Sequence, residues 1–109
     1  MLDGFWTVQF QGVQGGGGGV AVFTNGKVFG GDSGYTYTGT YKENNNAVTA
    51  RISVQNFSPG VPNVMGRQGN FELEFTGTVS GDVMKVVANL VGQPAMKLNA
   101  SLTKKSNFP

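Results

Sequence analysis

The chain has 109 residues, of which 39% are hydrophobic and 13% charged, and its formal net charge is +2. That charged share is about half the usual one, which excludes a charged disordered chain and a coiled coil, and the length admits a single domain, 1–109. With no cysteine and no histidine, the sequence has no disulfides, no thiolate or imidazole zinc site, no cysteine nucleophile and no imidazole base.

Eighteen glycines and fourteen valines are the composition of short strands joined by tight turns, so an all-β domain is expected. Met1 to Phe10 lacks the basic and apolar regions of a signal peptide, and no apolar run approaches the ~20 residues of a membrane helix. A cytoplasmic location without a membrane is expected. A net charge of +2 spread along the chain is too weak a field to imply nucleic acid.

Alternation defines the elements. Trp6, Val8 and Phe10 form the apolar face of a first strand. Five glycines, Gly15 to Gly19, read as a flexible connection and a lip over one end of the fold. Val20 to Phe23 and Lys27 to Phe29 flank Asn25-Gly26, which predicts a type I′ hairpin because both positions accept positive φ. After a turn at Gly30 to Gly34, a fourth strand carries Tyr35, Tyr37, Gly39 and Tyr41 on one side, and Glu43-Asn44-Asn45-Asn46 ends it. The fifth places Val48, Ala50, Ile52 and Val54 together. Ser58 to Asn70 is the longest connection. Phe71, Leu73 and Phe75 face inward on the sixth strand and Met84, Val86, Ala88 and Leu90 on the seventh. Gly92-Gln93-Pro94 then turns the chain, and Met96, Leu98, Ala100 and Leu102 alternate through the eighth. Eight strands with short connections predict an antiparallel up-and-down barrel or half-barrel, with a Greek-key sandwich as the alternative.

Catalytic candidates are poor. Glu72 and Glu74 share one strand face at roughly 6.5–7 Å, a glycosidase-like spacing, but they alternate with Phe71, Leu73 and Phe75 and so face solvent. Ser101-Leu102-Thr103-Lys104 fits a serine-x-x-lysine pattern that needs a helix, and it lies on a strand. The glycine run lacks the lysine and helix of a phosphate loop, and the six acids form no cluster for a metal. No enzyme, cofactor or metal is expected.

Binding candidates are better. Tyr35, Tyr37 and Tyr41 read as barrel packing or a ring-stacking surface. Small inward residues, Gly39, Ala50, Gly77, Ala88 and Ala100, leave interior space or mark tight corners, and Ala50, Ala88 and Ala100 are expected to line the space. The interior or ligand set is Trp6, Val8, Phe10, Tyr35, Tyr37, Tyr41, Ala50, Ile52, Phe71, Leu73, Ala88 and Ala100. Val61, Val64 and Met65 in the long loop must cover something: a barrel end, a second copy or, as a lid, the site.

Gly4-Phe5-Trp6 resembles the glycine-x-tryptophan signature of lipocalins, whose tryptophan closes one barrel end. Lipocalins cover that tryptophan with an arginine near the last strand, and here no arginine follows Arg67. From Asp3 to about Lys104 the chain is more closely similar to the GrlR-like family, negative regulators of type III secretion genes. The similarity runs through Asp3-Gly4, Gly30-Gly31-Asp32, Tyr37-x-Gly39, an exposed turn at Glu43, Asn44, Asn45 and Asn46, and Pro62-x-Val64. It implies a lipocalin-like barrel and a cytoplasmic homodimer that sequesters a transcriptional activator, recognised by four acids in that turn where this chain has one. The expected function is non-enzymatic regulation through a protein partner, with small apolar ligand binding as the alternative and an oligonucleotide-binding barrel as a third class.

Overall fold

The computed structural model describes residues 2–12, 15–58, 60 and 70–107. Eight strands follow one another: β1 (Gly4–Gly12), β2 (Gly15–Thr24), β3 (Lys27–Gly31), β4 (Tyr35–Asn44), β5 (Ala47–Asn56), β6 (Phe71–Ser80), β7 (Val83–Leu90) and β8 (Gln93–Ser106). Each pairs antiparallel with its neighbours in the chain, and β1 also pairs with β8, so the sheet closes on itself. Closure decides between the expected architectures. The fold is a full barrel, neither a half-barrel nor a sandwich, so each described strand pairs with a neighbour on both sides for at least part of its length.

Period-2 alternation accounts for the inside. β7 alternates exposed and buried from Val83 to Ala88, with Met84, Val86 and Ala88 in the core, and β5 buries Val48, Ile52 and Val54. Among the described residues no polar or charged side chain is buried, so the core is apolar throughout. Its stability rests on area removed from water, at ~25 cal/mol per Å².

The turns follow local chemistry. Asn25 and Gly26 have φ of 49° and 79°, both positive as a type I′ hairpin requires, and they join β2 to β3. Asn45, at φ 58°, sits in the β4–β5 hairpin, where asparagine tolerates the left-handed region better than most side chains.

Two expectations need correction. The glycine run is strand, not a flexible connection: Gly15 to Gly19 form the first half of β2, with Gly15 opposite Gly12, Gly17 opposite Phe10 and Gly19 opposite Val8. Neighbouring-strand hydrogen bonds override the low strand propensity of glycine. The last turn also comes earlier than Gly92-Gln93-Pro94. Val91 and Gly92 make it, with Gly92 at φ 86°, and Gln93 already pairs with Leu90. The register between β7 and β8 then shifts between Asn89 and Leu90. Such an irregularity takes proline into a strand, because it leaves residues outside the ladder where a missing N–H costs no bond.

The strand directions give the barrel two different ends. The β2–β3, β4–β5 and β6–β7 hairpins lie at one end, together with Leu2 and Asp3. The β3–β4 turn at Asp32 and Ser33 and the β7–β8 turn lie at the other. Val61, Val64 and Met65 fall outside the described residues.

Candidate binding site

Trp6 closes the hairpin end. It is 1% exposed, and its indole Nε1 donates to the Leu2 carbonyl at 2.9 Å, so its one polar atom is satisfied inside the core. Phe23 packs edge-on against it at 5.9 Å between ring centroids and in turn meets Tyr41 at 5.2 Å. Leu2, Val48 and Met84 complete the fully buried large side chains of the core.

Lys104 of β8 covers the plug. Its Nζ lies 6.0 Å from the indole centroid, within reach of a cation–π attraction. Gly4 makes the arrangement possible: a β-carbon there would stand 2.6 Å from Lys104 Cε and 2.6 Å from the Ser106 carbonyl oxygen. Glycine at the first position of glycine-x-tryptophan is thus the space through which the covering cation reaches the ring.

Above the plug is an interior cavity of about 260 Å³. Of the expected interior residues, Val8, Phe10, Tyr35, Tyr37, Ile52, Phe71, Leu73, Ala88 and Ala100 are on its wall, along with Phe23, Val28, Val54, Phe75, Val86, Leu98 and Leu102. Trp6, Tyr41 and Ala50 are not on the wall. Trp6 belongs to the core below it, and Tyr41 and Ala50 pack against that core. The small inward residues therefore divide into two kinds. Ala88 and Ala100 border open space, whereas Gly39 is a tight corner, since a β-carbon there would run into the Arg51 carbonyl of β5.

The far end of the cavity is polar and holds its single charged lining residue among those described. Asp32 and Ser33 of the β3–β4 turn and Tyr37 border it, next to the glycine wall of Gly16 to Gly18. Asp32 is held from three sides. Its Oδ1 accepts the Gly34 and Tyr35 backbone N–H groups, each at 2.9 Å, and its Oδ2 accepts the Tyr37 hydroxyl. Burial, and then the Asp32 carboxylate, push the Tyr37 phenol well above its ordinary range, so it stays a neutral donor. At the plugged end Asp3 plays the equivalent part, its Oδ1 accepting the Tyr41 hydroxyl at 3.0 Å. Tyr41 is likewise raised, by burial first and the bond to Asp3 second.

These bonds give two motifs of the resemblance a structural role in this chain. Asp3-Gly4 anchors Tyr41 and admits Lys104, while Gly30-Gly31-Asp32 anchors Tyr37, so both barrel ends are tied to β4 by an aspartate–tyrosine pair. The tyrosines accordingly point inward and offer no external stacking surface.

The remaining candidates lie outside the barrel. Glu74 faces solvent and forms an exposed ion pair with Arg51 at 3.5 Å, and Glu72 is exposed too. Glu43, Asn44, Asn45 and Asn46 are all exposed at the plugged end. Among the described residues no three acids gather in a way that could hold a metal.

The barrel is closed, plugged at one end by Trp6 and apolar inside. Residues 1–104 match the family described as T3SS negative regulator, GrlR, that is, negative regulators of the type III secretion system. The chain belongs to this family. No curated protein matches it.

Proposed function

We propose that the chain exerts its family's negative regulation by binding a protein partner, without catalysis, and that the outer wall of β1 to β3 is the binding face. The observation that carries this is a row of apolar side chains. Phe5 pairs with Val22, and Val22 with Phe29, across three adjacent strands. Phe5 is 39% and Phe29 48% exposed, with Val20 beside them at 41%. Aromatic side chains gathered on a surface mark interaction sites, because aromatic anchors supply most of an interface's energy.

Charge supports the same face. Lys27 is the one charged residue whose side chain points outward from β1 to β3, so a partner surface of apolar chemistry can dock there without stranding a charge. The Glu43 to Asn46 turn, with one acid, supplies little attraction for a basic activator.

In a strain with a type III secretion reporter and no family member of its own, the chain should repress the reporter. The Phe5→Ser, Phe29→Ser double variant should lose repression at an unchanged unfolding midpoint, each anchor being worth about 2 kcal/mol of binding. Glu43→Gln should repress normally. Loss of repression by Glu43→Gln with full activity of the double variant would transfer the function to the turn.

The cavity favours a second reading, in which the barrel also holds a small apolar ligand. A space of about 260 Å³ exceeds the roughly 150 Å³ that suffices for benzene. Binding of the neutral fluorescent probe N-phenyl-1-naphthylamine tests it.

A further inference from the structure

Within the reading that the cavity holds a ligand, on which the following rests, we infer that the barrel selects amphiphiles with an ammonium head and rejects those with a carboxylate head. Two observations carry this. The wall is apolar over most of its extent, and the polar side chains of the described lining, Asp32, Ser33, Tyr35 and Tyr37, all come from the β3–β4 turn and the start of β4, at the end away from Trp6. An apolar tail therefore lies toward Trp6 and the head beside Asp32, since a head group lodged against Val28 or Ile52 would be desolvated without a partner.

The charge of Asp32 then decides what head is acceptable. It is the single charged residue of the described lining, and its backbone bonds fix it in place. Its Oδ2 accepts one hydroxyl, from Tyr37, and a carboxylate oxygen has capacity for a second donor. An ammonium donates to that oxygen and to Ser33, forming a charge-assisted bond on a preorganised acceptor. A carboxylate head would face a like charge in a site only partly open to water, where repulsion is screened less than on a free surface. Tyr37 does not rescue an anion, because its proton is already engaged with Asp32. An alcohol head, uncharged, falls between.

The test compares decylamine, decanol and decanoate as competitors for N-phenyl-1-naphthylamine bound to the full chain at pH 7. The amine should compete at least tenfold more tightly than the carboxylate, the alcohol lying between. In Asp32→Asn, whose amide oxygen can still accept the Gly34 and Tyr35 N–H groups, amine and carboxylate should converge to within about threefold. The wild-type comparison stands alone if that variant does not fold. Equal competition by amine and carboxylate, or an unchanged preference in a folded Asp32→Asn, overturns head selection while leaving the cavity reading intact. Absence of any probe binding to the wild type overturns the cavity reading, and head selection with it.

Discussion

Trp6 buries its whole indole and keeps its nitrogen bonded to Leu2, so truncating it removes both packing and the lid on the plugged end. Trp6→Ala should cost ~3–5 kcal/mol, the range for large-to-small changes of buried aromatics, read as a lowered urea midpoint. A loss under about 1 kcal/mol would show that the end does not depend on it. Trp6 was legible because a large apolar residue on the inward phase of an alternating strand has nowhere else to go. Lys104 was not. Lys104 continues the inward phase of Leu98, Ala100 and Leu102, but its charge at a strand end reads as solvated, and only the folded β1–β8 register, with Trp6 opposite Lys104, shows what it covers. Asp32 was missed as a site residue for a similar reason: a turn aspartate among glycines reads as turn chemistry, and its reach to Tyr37 depends on how β4 leaves the turn.

At the level of strands, the inward phase of β4, β5, β6 and β7 could be read directly, whereas β2 and the start of β8 could not. A run of glycines has no alternation to read. Its strand character comes wholly from pairing with β1, a non-local contact. The start of β8 was hidden by Pro94, whose local preference for a turn is overruled by a register shift in the ladder. Small inward residues posed the opposite difficulty: their size was visible, their surroundings were not. On β7 the answer is space, because Ala88 is buried and still borders the cavity. Ala88→Leu should leave stability within about 1 kcal/mol of wild type or raise it, as a cavity-filling change does, and should weaken N-phenyl-1-naphthylamine binding. A cost of ~1–3 kcal/mol would instead mark an overpacked corner.

For the whole molecule, the expectation of a homodimer stays a proposal. The apolar row of Phe5, Val22 and Phe29 gives a surface that fits a second copy. Light scattering at tens of micromolar should return twice the 11.5 kDa chain mass. If the mass falls to that of one chain in the Phe5→Ser, Phe29→Ser variant, the copies meet on the outer wall of β1 to β3. A monomeric wild type would leave that wall to the regulatory partner alone.

The seam where the barrel closes has a consequence for how the protein is made. β1 and β8 pair over most of β1, and Thr7 donates to the Thr103 carbonyl at a sequence separation of 96. On the ribosome β1 emerges before the other strands and waits for all seven of them before its second neighbour exists. Throughout that interval the nascent sheet has two raw edges, β1 and whichever strand has just emerged, and both can recruit another chain. Closure therefore waits for β8, with the slow kinetics of long-range strand pairing.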